Sequence, residues 1–142
     1  MISICINSME IGDYEEIEKT ITEADVYLFS GVTMDFNPIH INSVVADKSI
    51  FKGRIVHGML TAGLISAVLG TRLPGVGTIY LGQDLKFRKP VYFNDTIKAR
   101  VTVKKKIVEK NIVVFETICT NQNNEVVIEG EATVMPPKID VK

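Results

Sequence analysis

The chain lacks the features that would tie it to a thiolate metal site, a membrane or a polyanion. It has two cysteines, Cys5 and Cys119, far apart and without ligand spacing. That excludes a disulfide framework and predicts free thiols in a reducing compartment. There is almost no net charge, −1 from 16 basic and 17 acidic side chains, so nothing draws the chain to nucleic acid. Its densest basic run, Lys104 to Lys106, reads as a solvated strand end. The most apolar run, MLTAGLISAVLG, is too short to span a bilayer. The opening MISICINSMEIGDYEE has no basic n-region and does not read as a signal peptide. A cytoplasmic protein with no membrane and no nucleic-acid partner is the expectation. No repeat, low-complexity tract or linker interrupts the 142 residues, which predicts a single domain over 1–142. What is there is a globular balance, 46% hydrophobic and 23% charged residues, enough for one sizeable core.

Along the chain, helical signals come first and strand signals later. MISICINS alternates loosely and predicts a strand. Thr22 and Asp25 form a possible capping pair, and Val26, Phe29, Ser30 and Thr33 follow at helical spacing. That helix must end before Pro38, because proline pushes Asn37 out of the helical region. A short helix is expected over 43–50. From Gly58 to Leu69 the chain is apolar or small on nearly every face, which predicts a buried helix with Gly70 as cap and Pro74 as stop. Then the period changes to two. Strands are expected over Thr78 to Phe87, over Ile97 to Lys104, from Ile112 onward and over Val126 to Met135, with a turn at Asn121 to Asn124 and a bulge at Gly130. Short turns make the strands antiparallel neighbours. Helices followed by strands give an α+β class. A curved antiparallel sheet wrapped around the apolar helix would bury it. Such a sheet keeps open edges, which two copies can pair across a two-fold axis.

The polar residues concentrate in TMDFNPIHI, residues 33–41. Asp35 and His40 are related by neither helical nor strand period, so only the proline turn can bring them together. If it does, a carboxylate and an imidazole can hold one water and move its protons, with Asn37 orienting the turn or the substrate. The competing reading is a helix-ending turn in which Asp and Asn bond their own backbone; that turn has no need of His40. The second histidine, His57, stands before Gly58 at the start of the buried helix. A helix N-terminus offers free N–H groups and a positive dipole end, suited to an oxyanion, and glycine allows close approach. Gly58 is equally explained by tight packing of helix on sheet. Asp35, His40 and His57 as a two-histidine, one-carboxylate metal set match no compact ligand pattern, and no metal is expected. LPGVGTIY has a G-x-G that leads into a strand, so the dinucleotide reading fails. No G-x-S-x-G elbow is present.

YLFSGVTMDFNPIHINSVVA resembles the hydratase motif of the MaoC-like, (R)-specific enoyl-CoA hydratases. In that motif Asp-x-Asn-Pro-aliphatic-His is followed, after five intervening residues, by Ala or Ser; here Ala46 fills the place. The likeness continues through IVHGMLTAGLISAVLG, LPGVGTIYLGQDLKF and RKPVYFNDTI, over roughly residues 12–135. The resemblance implies a hot-dog fold, a homodimer, an acyl-CoA substrate and no cofactor, the CoA being part of the substrate. It implies reversible syn hydration of a trans-2-enoyl-CoA to an (R)-3-hydroxyacyl-CoA. By the same resemblance, Asp35 and His40 are the catalytic pair and the Gly58 N–H faces the thioester carbonyl. Asn37 supports the site, and His57 positions it. One departure stands out: the family has glycine before the aspartate, and this chain has Met34. Two rivals use the same fold, a 3-hydroxyacyl-[acyl-carrier-protein] dehydratase, whose dock Lys86, Arg88, Lys89 and Arg100 could supply, though they could equally bind CoA phosphates, and an acyl-CoA thioesterase. A third is a binder of acyl-CoA without turnover.

Overall fold

The computed structural model describes residues 2–141. Three segments with alternating apolar residues form the middle of one sheet: β4 (Thr96–Ile107), β5 (Ile112–Thr120) and β6 (Val126–Met135). On β4 the alternation buries Ile97, Ala99, Val101 and Val103; on β5 it buries Val113, Phe115, Thr117 and Cys119. β1 (Tyr14–Thr20) adds antiparallel to the outer side of β4. β2 (Ile79–Gln83) and β3 (Lys86–Phe87) both pair with β6. The six strands are antiparallel in the order β1-β4-β5-β6-β2, with β3 also on β6. Both cysteines are free thiols.

The long helix α4 (Gly58–Thr71) packs on β4, β5 and β1. Its Leu64, Ile65, Val68 and Leu69 are buried, each contributing about 1.5–3 kcal/mol relative to exposure. A sheet wrapped on one long apolar helix is the hot-dog arrangement, and the class is α+β as expected. Ahead of α4 lie α1 (Glu23–Thr33), α2 (Pro38–Ile41) and α3 (Ser43–Asp47). The capping box of Thr22 and Asp25 is formed in both directions.

Several expectations are corrected. MISICINS is not a strand: Ile6–Ser8 form one turn of 3-10 helix, and Ser3 alone makes isolated bridges; Met1 lies outside the described residues. The strand on that side is β1, YEEIEKT, an edge strand whose residues are mostly exposed; with little to bury, it shows no apolar alternation. The segment 78–87 is split in two, with Asp84 bonded to Glu131 at the break. Gly130 is no bulge. It pairs regularly with Thr117, and a Cβ there would lie 2.0 Å from the Asp84 carbonyl oxygen, so the glycine serves a close backbone approach. Finally, α4 is not buried all round. Met59, Gly63, Ser66 and Gly70 form an exposed stripe along it. The helix also runs one residue past Gly70, with Arg72 as its cap.

Candidate active site

The stretch between α1 and α2 is built by local hydrogen bonds. Thr33 Oγ1 donates to the Phe29 carbonyl (2.7 Å) and accepts from the Asp35 N–H (3.3 Å). Met34 caps α1 in the left-handed conformation, φ +65°, its N–H bonded to the Ser30 carbonyl at 2.8 Å. That is the backbone angle for which glycine is the usual residue, and Met34 adopts it here. The Met34 side chain is 80% exposed.

Asp35 Oδ1 accepts from the Asn37 N–H (3.2 Å), and Asn37 Oδ1 accepts from the Ile39 N–H (3.2 Å). Asn37 is thus the N-cap of α2, with Pro38 as its first residue, an arrangement in which proline's missing N–H costs nothing. The backbone-bonding turn expected as a competing reading is present. It also does something more: one turn of α2 carries His40 inward, where it is 8% exposed.

There the pieces converge. One ligand-type atom from each of Asp35, His40 and His57 lies within 4.8 Å of the others. The His40 and His57 rings stack at 3.9 Å, 29° from parallel, and Phe29 lies 4.8 Å from the His57 ring. His40 Nδ1 is 2.7 Å from the Ile55 carbonyl. A carbonyl only accepts, so Nδ1 carries the proton and Nε2 presents a lone pair. Burial holds the His40 imidazole below its ordinary 6.5; the bond to Ile55 opposes this, His57 reinforces it and the Asp35 carboxylate opposes it.

His57 is tied down by its other nitrogen. Nε2 sits 3.0 Å from the Asp35 carbonyl and 3.1 Å from Ser30 Oγ, so it donates to the Asp35 main chain. His57 therefore braces the backbone of Asp35 and the face of His40.

His57 is also the N-cap residue of α4, and Gly58 its first residue. The Leu60 and Thr61 N–H groups turn back to the His57 carbonyl at 3.1 and 3.3 Å. The Gly58 and Met59 N–H groups have no protein partner among the described residues. A Cβ on Gly58 would come 2.5 Å from the Phe87 ring, so the tight-packing explanation of this glycine holds beside the free N–H. A cavity of about 330 Å³ is lined by Val56, Gly58, Thr61, Phe87, Arg88 and Lys89, among others. Asp35 and His40 are not in its wall. Ile55 is, and its carbonyl holds His40.

All five residues singled out in the sequence thus lie in one neighbourhood. Asp35, His40 and His57 form the cluster, Gly58 adjoins it on the cavity side, and Asn37 shapes the turn. Sequence reasoning missed Ser30, Ile55 and Thr61. Ser30 is a buried hydroxyl in the apolar stripe of α1, a signal open to reading. Ile55 acts through its carbonyl, which no side chain announces.

Known proteins resemble the chain over most of its length. Residues 10–126 match the model of the MaoC like domain. The (R)-specific enoyl-CoA hydratase of Rhodospirillum rubrum is 56% identical over 126 residues, 89% of this chain and 87% of that protein. The 3-hydroxybutyryl-CoA dehydratase of Methylorubrum extorquens is 45% identical, over 92% of this chain and 82% of its own length. Among solved structures, unliganded R-hydratase PhaJ1 from Pseudomonas aeruginosa superposes with a TM-score of 0.93. It is 41% identical and covers 99% of this chain and 90% of its own. The chain belongs to the MaoC-like domain family.

Proposed function

We propose that the chain is an (R)-specific enoyl-CoA hydratase, a hydro-lyase that adds water reversibly and syn across a trans-2-enoyl-CoA to give the (R)-3-hydroxyacyl-CoA. The observation that carries the reading is the tautomer of His40. With its proton fixed on Nδ1 by Ile55, His40 keeps a lone pair on Nε2, and the residue shares a cluster with Asp35.

A water held between Asp35 and His40 Nε2 loses a proton to Nε2 as its oxygen bonds to C3. The C2–C3 double bond opens and its electrons move to the thioester oxygen as an enolate. The free N–H at the start of α4 offers that oxygen a preorganised donor at the positive end of a helix. The proton on His40 is returned through the Asp35 carboxyl to C2, and the pair ends as it began. Because one group of residues handles both protons, oxygen and hydrogen add to the same face. The proton work and the charge stabilisation come from side chains and main chain, so the reading needs no cofactor and no metal.

The rest of the reading is a homodimer in the cytoplasm with acyl-CoA as substrate. Two open sheet edges support the dimer, as do the exposed Leu28 and Val32 on α1 and Met34 and Phe36 just after it. No helix among the described residues is long and apolar enough to cross a membrane. A carrier-protein substrate would want a basic dock. Of the four basic residues considered for it, Arg88, Lys89 and Arg100 are paired with Glu129, Glu125 and Glu16. That favours CoA.

The experiment is loss of the enoyl-thioester ultraviolet absorbance on mixing with crotonyl-CoA, followed by chiral analysis. The reading expects (R)-3-hydroxybutyryl-CoA and no free thiol. The (S) product, or release of CoA thiol, would overturn it; turnover of carrier-bound enoyl substrates alone would move the assignment to the dehydratase.

A further inference from the structure

Two buried side-chain atoms have no hydrogen-bond partner among the described residues, His57 Nδ1 and Thr61 Oγ1. They fall four residues apart at the start of α4. Thr61 is 0% exposed, yet it lines the same cavity as Gly58. A helical threonine usually satisfies its hydroxyl on the carbonyl one turn back. Here that carbonyl, of His57, is taken by the Leu60 and Thr61 N–H groups, and the hydroxyl does not join them. A buried hydroxyl without a partner destabilises the fold in a way that a valine of the same shape would not. Helical side chains lean toward the N-terminus, which carries this hydroxyl over the turn that begins at Gly58. So the unsatisfied hydroxyl and the unsatisfied Gly58 N–H share one cavity wall.

We infer that Thr61 Oγ1 donates a hydrogen bond to the thioester oxygen of a bound acyl-CoA, beside the Gly58 N–H. The oxygen that gathers charge during hydration then has one main-chain and one side-chain donor. This rests on the hydratase reading above for the identity of the ligand.

The test compares Thr61→Val, which keeps the shape and removes the hydroxyl, with Thr61→Ser, which keeps the hydroxyl. Three quantities are measured: melting temperature, kcat and KM with crotonyl-CoA, and affinity for butyryl-CoA, which is saturated and cannot be hydrated. Thr61→Val is expected to melt at or above the wild-type temperature. Its kcat/KM should fall by roughly 10²-fold, mostly in kcat, because the bond strengthens as charge builds. Its butyryl-CoA affinity should weaken by roughly threefold to tenfold, while Thr61→Ser stays close to wild type. Unchanged kcat/KM and affinity in Thr61→Val would overturn the inference and leave the hydratase reading standing. So would a loss of activity accompanied by a lower melting temperature and unchanged butyryl-CoA affinity, the mark of a structural role. A wild type that binds butyryl-CoA in a Thr61-dependent way without hydrating crotonyl-CoA would support the inference and remove the hydratase reading. A wild type that binds no acyl-CoA would remove both.

Discussion

A carbonyl can only accept, and this settles which nitrogen of His40 is available. Ile55 takes the Nδ1 proton at 2.7 Å, and the proposed general base is Nε2. The base must be neutral to work. Its folded pKa lies below the ordinary 6.5, burial being the largest cause. Protonation on acidification therefore switches the proposed reaction off. The acid limb of kcat/KM in the free enzyme is expected to have its midpoint below 6.5 and to disappear above it; a midpoint above 6.5 would contradict the environment described for His40. His57 stands apart from this chemistry. Its Nε2 is spent on the Asp35 carbonyl and Ser30, which is why it is a positioning residue in this account.

The elements show where local preference was overridden. Met34 ends α1 at φ +65°, a conformation that costs a residue with a side chain about 1–2 kcal/mol. Glycine would avoid most of that and lose part of the gain to its own flexibility. Met34→Gly should therefore raise unfolding stability by roughly 0.5–1 kcal/mol in urea titrations. At the other side of the sheet, Gly130 lets the Asp84 carbonyl approach β6. Gly130→Ala should destabilise by about 1–3 kcal/mol, with thermal unfolding as the measure. The apolar helix and the three inner strands were legible in the sequence because each buries a regular face. β1 was not, since an edge strand with few buried residues has no such face. The exposed stripe of α4 was also hidden: Gly63, Ser66 and Gly70 are small, and a small residue reads alike in contact or in solvent. At the site, the residue types and the resemblance named Asp35, His40, Asn37, His57 and Gly58. Their convergence through α2 was not readable from either period. Ser30 was placed on its helix but its bond to His57 was not foreseen, and Thr61 passed unremarked as one hydroxyl in an apolar helix.

Over the whole molecule, the sheet ends at β1 and β2. On β2, Ile79 and Leu81 are 55% and 49% exposed, and near the site Val32 is 84% exposed. Unpaired edges and exposed apolar side chains invite a partner, and the proposed partner is a second copy. Sedimentation equilibrium should give twice the 15.8 kDa chain mass, and Val32→Glu or Leu81→Lys should shift the equilibrium toward the single chain. A fully active monomer at every concentration would remove the dimer from the account. The central claim remains that Asp35 and His40 Nε2 hold and activate one water. The most direct test is the crotonyl-CoA hydration rate of His40→Asn, whose side-chain amide can keep the bond to Ile55 while lacking the Nε2 lone pair. The account predicts a loss on the order of 10²–10⁴-fold with wild-type folding. Turnover near the wild-type rate would contradict it.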